Sequence, residues 1–409
     1  MARSMMRSAL AAAALAVAVP AGAQNVGSFC SGRDPTDATA WDCQALSPVP
    51  AQAWAGFENF SPLPGTPDPA NPTMYSMVTG NANLRGGAKV YALKEGAYFA
   101  LLIESDGVAA LVDAPEGSFV KARGAAGPSA SWLPESIDAL LSDGTELKYI
   151  IYSHAHWDHT GGAGFVYDYF HGVPEVVASE EAYHKLMDRD ARDPATPFGN
   201  NRGVPMPSET FAEEYELHVG KLKLKLMDIG GHQGGDIAVL LSKDEPRNAA
   251  AGIQKSVLMA VDIIFPGWSP FFSLAISEDT MGFFDAMKAL YAMEFDVFVG
   301  GHLSRLGNKA DVKTQMDFFE DILEGAALGV ATVDVTVPAV ATGAVNPASP
   351  NMGNSWLIFN EYFELILDVC VAHVLDETAV GVKWTDVLAG VEVTLRSHCN
   401  VLQSFIRVG

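Results

Sequence analysis

The stretch Leu-Lys-Tyr-Ile-Ile-Tyr-Ser-His-Ala-His-Trp-Asp-His-Thr-Gly-Gly, residues 147–162, decides how the rest of this chain is interpreted. It opens with a mostly apolar, β-branched and aromatic run, which predicts a strand buried on both faces. Four potential metal ligands follow within six residues, namely His154, His156, Asp158 and His159. The chain has only ten histidines, so three in one turn favour a metal site over a polar surface turn. Gly161 and Gly162 are then expected to let the backbone turn tightly.

The ligand types limit which metal this turn would bind. Imidazole and carboxylate together suit zinc, iron or manganese. The lack of a nearby cysteine disfavours a purely structural zinc site. In α/β proteins, the loop beyond the carboxyl end of a buried strand is a usual place for chemistry. We therefore expect a catalytic metal centre directly after this strand.

The stretch resembles the His-x-His-x-Asp-His motif of the metallo-β-lactamase superfamily. Three further residues of that family's metal centre have counterparts downstream, in order. His232 lies in Ile-Gly-Gly-His, Asp262 ends the apolar run Leu-Met-Ala-Val-Asp, and His302 lies in Val-Phe-Val-Gly-Gly-His. The resemblance covers roughly residues 85–310 of the chain.

This resemblance implies a fold and a set of ligands. The fold would be a four-layer αββα sandwich of the α/β (α+β) class, with two divalent metal ions at one edge between the sheets. The first metal would be bound by His154, His156 and His232, the second by Asp158, His159 and His302, with Asp262 bridging both. Zinc is the expected metal, with iron or manganese as alternatives. A hydroxide shared by the two ions would attack the substrate, and Asp158 is the candidate catalytic residue that passes a proton to the leaving group.

The acidic residue at position 262 narrows the expected substrate. Resemblance to true β-lactamases would call for Cys or Ser near that position. Asp is instead similar to the pattern of glyoxalase II, quorum-quenching lactonases and organophosphate hydrolases. We expect a hydrolase of small-molecule esters or lactones, since the thioester of glyoxalase II is cytosolic and this chain looks exported. The alternatives are β-lactam or organophosphate hydrolysis, a mononuclear iron oxygenase, and a binding protein that kept the fold.

The N-terminus predicts export to the periplasm or beyond. Arg3 and Arg7 precede an apolar run of eleven residues, 9–19, and an Ala-Gly-Ala cleavage site ends at Ala23. Residues 1–23 are therefore interpreted as a signal peptide. Four cysteines in an exported chain favour two local disulfides, for which we expect the pairs Cys30–Cys43 and Cys370–Cys399.

The charge of the chain argues against two classes of partner. The formal net charge is −23 at pH 7, and such a field repels nucleic acid and anionic membranes. After the N-terminus, no apolar run reaches membrane-spanning length. A small-molecule substrate is the expected partner, and the oligomeric state is left open.

Three further regions are expected around the motifs. Residues 24–84 read as an irregular, Pro-rich N-terminal extension, 85–310 as the catalytic domain and 311–409 as a helical C-terminal extension. Aromatic residues of the N-terminal extension are expected to pin it against the main domain; they are Trp41, Trp54, Phe57 and Phe60. The loop-like residues 188–214 suggest a flap over the metals.

Several residues near the motifs have two interpretations. Asp113, at the end of a predicted strand, either holds a ligand histidine by a hydrogen bond or is a plain turn aspartate. Five aromatic residues either line an apolar pocket or belong to the ordinary core; they are Trp157, Phe265, Trp268, Phe271 and Phe272. Surface or structural roles are expected for the remaining histidines, His171, His184, His218, His373 and His398.

Overall fold

The structure is a computed structural model that describes residues 47–56, 59–63, 73–81, 87–115, 133–190, 203–303 and 305–408. Within these ranges the strands are β1 (Ser61–Pro62), β2 (Met74–Gly80), β3 (Lys89–Glu95), β4 (Tyr98–Ser105), β5 (Val108–Val112), β6 (Glu146–Ile151), β7 (Glu175–Ser179), β8 (Glu209–Phe211), β9 (Glu214–Val219), β10 (Leu222–Asp228), β11 (Ile237–Leu241), β12 (Val257–Ala260) and β13 (Val297–Val299).

The helices in the same ranges are α1 (Leu133–Leu140), α2 (Trp157–Thr160), α3 (Ala163–Tyr169), α4 (Glu180–Asp190), α5 (Pro246–Ala250), α6 (Phe272–Ile276), α7 (Thr280–Ala292), α8 (Lys309–Thr332), α9 (Thr336–Ala341), α10 (Ser355–Leu375), α11 (Glu377–Val380), α12 (Trp384–Val387) and α13 (Val391–Val408). The expected signal peptide and the Cys30–Cys43 pair lie outside the described residues, as do Trp41 and Phe57.

The strands form two sheets. The first has the order β1-β2-β3-β4-β5-β6-β7-β8, antiparallel up to β5 and parallel from β5 to β8. The second has the order β13-β12-β11-β10-β9 and is antiparallel except for the pair β12–β13. Parallel pairing from β5 to β7 brings the carboxyl ends of these strands to one edge, and the motif turn follows β6 there.

Side chains that alternate along the strands fill the space between the two sheets. Phe99, Leu101 and Ile103 of β4 belong to one buried cluster with Leu224 and Leu226 of β10. Because successive side chains of a strand point to opposite faces, the intervening residues pack elsewhere. On the outer face of the first sheet they meet α1, α3 and α4.

The C-terminal helices cover the outer face of the second sheet. One buried cluster joins Leu258 of β12 to Phe283 of α7, Phe319 of α8, Val371 of α10 and Leu395 of α13. The expected αββα sandwich with a C-terminal helical region is therefore confirmed. These helices are one of its four layers rather than a separate appendage.

A disulfide ties two of these helices together. Cys370 of α10 and Cys399 of α13 are bonded, with 6.1 Å between their Cα atoms. This confirms the second of the two expected disulfides. Because α10 and α13 both pack on α8, the bond fixes the outer helical layer at its centre.

The sheet begins earlier in the chain than the sequence suggested. Residues 24–84 were expected to be irregular, but Met74–Gly80 pairs with β3 along most of its length. The pattern of β2 hid it, since its first three residues are partly buried, the fourth is exposed and the four do not alternate. The expected docking of the N-terminal region holds for two aromatic residues: Phe60 packs against Phe99 at 5.7 Å and Trp54 against Trp268 at 6.0 Å between ring centroids.

Part of the expected flap belongs to the sheet. Glu209–Phe211 pairs with β7, and the Tyr152 hydroxyl donates to the carbonyl of Pro205 at 2.9 Å. The expectation of one loop over 188–214 is therefore wrong for this second half, because its backbone hydrogen bonds are satisfied by the sheet edge. Residues 191–202 lie outside the described part of the chain, and a flap there stays a prediction.

The lysines of β10 lie on the face of the second sheet that is open to solvent. Lys223 pairs with Glu216 at 2.5 Å and Lys225 with Glu214 at 2.7 Å, while the intervening leucines are buried.

Among the helices in the described ranges, none combines the length and hydropathy needed to cross a bilayer.

Acid is expected to destabilise the protein partly through His398 of α13. Burial lowers the pKa of His398 to about 4, below the ordinary value of about 6.5 in the unfolded chain. The unfolded state therefore binds the proton first, so the stabilisation is complete above about pH 6.5 and is lost as the pH falls towards 4. The loss from this group should be roughly 2–3 kcal/mol at pH 4.5.

Urea unfolding at pH 7.5 and 4.5 of the wild type and of His398→Asn measures this contribution. Other groups titrate in both proteins, so the difference between their pH dependences isolates His398. Equal pH dependences in the two proteins would contradict the prediction.

Candidate metal centre

The motif turn lies between β6 and α3, at the edge predicted from the sequence. β6 ends at Ile151, His154 is fully buried, and the one-turn helix α2 begins directly after His156. Asp158 and His159 are in this single turn. The short helix therefore places the second pair of motif ligands beyond the first pair, as two neighbouring binding sites require.

The two glycines after the motif have a different role from the expected one. Gly161 and Gly162 have φ of −66° and −83°, which any residue adopts. A Cβ on Gly162, however, would lie 2.5 Å from the carbonyl oxygen of Pro115, and one on Gly161 would lie 2.6 Å from that of Trp157. Close packing explains why glycine fits here, against the residues that follow β5 for Gly162 and against Trp157 for Gly161.

The structure brings all seven predicted site residues together in two clusters. The first contains His154, His156, His232 and Asp262, and the second contains Asp158, His159, Asp262 and His302. Within each cluster the potential ligand atoms lie within 4.8 Å of one another. No other group of this kind occurs among the described residues. The division into two sets is the one that the resemblance implied.

Asp262 belongs to both clusters, and its two oxygens point to different ligands. Oδ1 lies 2.8 Å from Nε2 of His302. Oδ2 lies 3.3 Å from Nε2 of His159, 3.4 Å from that of His232 and 3.7 Å from that of His154. Asp262 has a φ of 61°, a left-handed conformation that aspartate tolerates better than most residues. It therefore stands between the two clusters like a bridge.

Several buried polar atoms of the clusters have no hydrogen-bond partner. These include Nε2 of His154 and Nδ1 of His232. In addition, Nδ1 of His156 faces Nε2 of His232 at 2.8 Å, and Nε2 of His159 faces Nε2 of His302 at 3.0 Å. Unpaired buried polar atoms are costly. Converging imidazole nitrogens and carboxylate oxygens suit divalent cations, so these residues fit two such ions.

The electrostatics of the first cluster favour neutral imidazoles. Burial, with the neighbouring histidines, lowers the pKa of His154 well below its usual value, and burial with His232 lowers the pKa of His156 to about 4. Burial would raise the pKa of Asp262, but His302 and His159 hold it well below its usual range. Neutral imidazole and ionised carboxylate are the forms that bind metal.

Asp113 supports ligands of both clusters. Its Oδ1 accepts the backbone N–H of Ser153 at 2.7 Å, and its Oδ2 accepts the Ser153 hydroxyl at 2.8 Å. The same Oδ2 lies 3.4 Å from Nδ1 of His159, and Oγ of Ser153 lies 2.9 Å from Nδ1 of His154. Of the two interpretations of Asp113, the geometry favours the one in which it orients ligand histidines.

Other supporting residues were missed in the sequence. Gln233 accepts the backbone N–H of Ala155 at 3.0 Å, which joins the His232 turn to the motif turn. The ring of Tyr98 lies 4.7 Å from that of His302. Tyr98 read only as the start of a strand, and no local signal shows a contact between residues 204 positions apart in the chain. A backbone bridge makes this contact, with Phe99 donating to Gly301 at 2.8 Å.

The five aromatic residues considered for a pocket wall divide into two groups. Phe265 stacks on His302 at 5.9 Å and Phe271 lies 6.1 Å from the same ring, so both border the second cluster. Phe272 is in contact with Phe271 at 5.8 Å. Trp268 instead packs on Trp54, and Trp157 packs against the core beneath α1 and α3. The last two are therefore ordinary packing residues.

The remaining histidines are outside both clusters, as expected. His218 contacts Arg247 on the surface, and His184 contacts Tyr183. His398 of α13 is fully buried, and its ring makes hydrogen bonds to the backbone of Leu274 and of Pro270. His171 is exposed and His373 is partly buried.

Comparison with known proteins finds one matching family model and several similar solved structures. Residues 93–244 match the family model described as the metallo-beta-lactamase superfamily. Similar solved structures include the metallo-β-lactamase SMB-1, with 17% identity, a TM-score of 0.41 and coverage of 59% of this chain and 94% of that chain. They also include BJP-1, a subclass B3 metallo-β-lactamase of Bradyrhizobium japonicum, with 15% identity, a TM-score of 0.44 and coverage of 61% and 96%. No curated protein matches the chain.

Proposed function

We propose, from the metallo-β-lactamase superfamily domain that this chain contains, that the protein is a dinuclear zinc-dependent hydrolase of esters or lactones. The observation that carries the proposal is the position of Asp262 between two clusters, with one oxygen towards His302 and the other towards His154, His159 and His232. Such a carboxylate can serve two ions at once and offset part of their mutual repulsion.

The residues would divide as the two clusters do. His154, His156 and His232 would hold one ion, and Asp158, His159 and His302 the other. When bound, two such ions would polarise the substrate carbonyl and lower the pKa of a water molecule to about 7. The protein then has to orient the substrate, keep bulk water away and move one proton.

Asp158 is the group best placed to move that proton. Its Oδ2 lies 3.6 Å from Nε2 of both His159 and His302. Its side chain is 28% exposed, whereas Asp262 is 1% exposed and enclosed by histidines. Only Asp158 of these two carboxylates therefore reaches both the ligand set and the open side, where it can take a proton from the attacking water and give it to the leaving oxygen.

The charges around the site support a neutral substrate. Lys185 donates to Glu278 at 2.7 Å, and the backbone of Glu278 is bonded to the His232 carbonyl. Arg305, three residues after His302, donates to Asp311 at 3.0 Å. Each of these two cations is thus engaged by a carboxylate. A neutral ester or lactone needs no cation, whereas a β-lactam drug carries a carboxylate that one would bind.

β-Lactam hydrolysis is the second candidate function. The similar solved structures named above are β-lactamases, and the same two clusters can activate water towards a β-lactam carbonyl. The uncommitted cation that such an anionic substrate would use is the feature that separates the two candidates.

Export to the periplasm is also part of the proposal. It is supported by the basic, apolar and Ala-Gly-Ala pattern of residues 1–23 and by the disulfide between Cys370 and Cys399, since disulfides persist in oxidising compartments.

Metal analysis combined with a substrate panel tests the proposal. The purified protein should hold two zinc ions and hydrolyse an uncharged lactone and an aryl ester much faster than a β-lactam and a phosphotriester. A single bound iron would point to an oxygenase. Rapid cleavage of the β-lactam with neither ester cleaved would overturn the substrate class but leave the site intact.

A further inference from the structure

The segment after Phe271 has a backbone conformation that is rare for its residues. Ser273, Leu274, Ala275 and Ile276 have φ of 58°, 54°, 57° and 60°, so α6 is a left-handed turn without a glycine. L-residues avoid this conformation because Cβ approaches the following carbonyl oxygen, and they seldom adopt it in succession. For the β-branched Ile276 it is a clear outlier. The surrounding structure must therefore impose the turn.

The C-terminal helix α13 supplies that constraint. The backbone N–H of Leu274 donates to Nδ1 of His398 at 3.0 Å, and that of Ser273 donates to Oγ of Ser397 at 2.9 Å. Since Nδ1 accepts a backbone N–H, the proton of the ring is on Nε2, which donates to the carbonyl of Pro270 at 3.0 Å. The next residue, Cys399, is bonded to α10.

The turn connects the two halves of the metal centre. At its start, the ring of Phe271 lies 6.1 Å from His302 of the second cluster. At its end, Oγ of Ser277 donates to the carbonyl of Gly231 at 2.9 Å, and Glu278 donates to the carbonyl of His232 in the first cluster at 2.8 Å. The segment 271–278 therefore runs beside ligands of both clusters.

Two apolar side chains of this segment remain in solvent. Phe272 is 56% exposed and Ile276 is 54% exposed, whereas Leu274 and Ala275 between them are buried. The exposed side chain of Ile276 gains little from packing to offset its strained backbone. Strain that the fold does not need tends to occur at functional sites.

We infer that Phe272 and Ile276 form an apolar rim beside the metal centre, which binds the alkyl or aryl substituent of the substrate. The C-terminal helical layer positions this rim through Ser397 and His398. The substrates selected in this way are esters or lactones with an extended apolar group, an inference that rests on the proposed function for the reaction itself. His398 is a positioning residue, because it acts through the turn and does not touch the substrate.

Chain-length dependence measures the rim directly. The ratio of kcat/KM for 4-nitrophenyl octanoate to that for 4-nitrophenyl acetate should fall at least tenfold in Phe272→Asn combined with Ile276→Asn. Asparagine tolerates the left-handed conformation, so the backbone of the turn is retained. Met281→Asn is the matched control, since Met281 is 44% exposed but lies in the ordinary helix α7. An unchanged ratio in the double variant would overturn the inference.

Ligand binding separates the rim from the reaction. Calorimetric titration of the metal-loaded protein with acetate and octanoate requires no hydrolysis. The wild type should bind octanoate at least tenfold more tightly than acetate, and the double variant should lose most of that difference. If no ester is hydrolysed but this result is obtained, the proposed function fails and the rim stands. If esters are hydrolysed but octanoate has no advantage in binding, the rim fails alone.

Variants of α13 test the positioning role. His398→Leu removes the hydrogen bonds of the ring to Leu274 and Pro270, whereas His398→Asn keeps an acceptor near the position of Nδ1. The octanoate-to-acetate ratio should fall in His398→Leu and recover in His398→Asn, with two metals bound in each. If His398→Leu does not fold, Ser397→Ala gives a parallel test, because it removes the bond to Ser273 and, within α13, the bond to the Thr394 carbonyl. A uniform loss on both esters, with the ratio kept, would show a merely structural role.

Discussion

Asp262→Asn is expected to lower kcat/KM about a thousandfold and to weaken the binding of one of the two metals. Asparagine keeps the shape of the side chain but loses its charge. It also replaces one carboxylate oxygen with an NH₂ group, which donates and cannot bind a metal. Both oxygens are in use, because Oδ1 faces Nε2 of His302 at 2.8 Å and Oδ2 faces Nε2 of His159 at 3.3 Å. The two clusters therefore lose the anionic ligand that they share.

Metal content by mass spectrometry and activity on an aryl ester measure both effects together. Asp296→Asn is the matched control, because Asp296 is an exposed aspartate that bonds Lys243 far from the clusters in the fold. It should keep two metals and normal activity. If Asp262→Asn retains two tightly bound metals and full activity, Asp262 does not bridge.

Asp158→Asn is expected to lower kcat about 10²–10⁴-fold, the usual contribution of a general acid or base. The amide can neither take a proton from the attacking water nor give one to the leaving oxygen. Its Oδ2 is also placed as a ligand, 3.6 Å from Nε2 of His159 and of His302. Some loss of the second metal should therefore accompany the loss of kcat.

Excess metal separates proton transfer from ligand loss. At saturating metal, Asp158→Asn should still show most of its loss of kcat. Asp113→Asn is the comparison, since Asp113 orients His159 and Ser153 without reaching the open side. It should cost about 10–100-fold in metal affinity or activity, and saturating metal should restore the part that comes from lost metal. Restoration of full kcat in Asp158→Asn by excess metal alone would show that Asp158 is only a ligand.

Much of the site could be predicted because its ligands are at strand ends that are visible in the sequence. His154 and His156 follow a strongly apolar strand, and Asp262 and His302 follow two others. Parallel pairing brings such strand ends to one edge. The long C-terminal helices were also visible, since their apolar periodicity extends over several turns.

Other features were hidden because they depend on contacts between distant parts of the chain. The ring of Tyr98 meets that of His302 only because β4 and the His302 turn form a backbone bridge. Asp113 was ambiguous until its oxygens were seen to bond Ser153. Trp268 was open between a pocket wall and ordinary core until it was seen to pack on Trp54 of the N-terminal region. β2 was missed because its residues do not alternate between buried and exposed positions, and its place in the sheet is set by pairing with β3.

By itself, the sequence determined the seven candidate ligands and their order along the chain, because apolar runs and ligand spacing are local properties. Its resemblance to the metallo-β-lactamase superfamily implied the sandwich class. Only the tertiary structure decided that Asp262 lies between two clusters and that the C-terminal helices form an outer layer of the sandwich. It alone also decided the left-handed turn at 273–276. No local preference of Ser, Leu, Ala and Ile favours that conformation. It is imposed by hydrogen bonds that Ser397 and His398, more than 120 residues later in the chain, accept from the backbone of the turn.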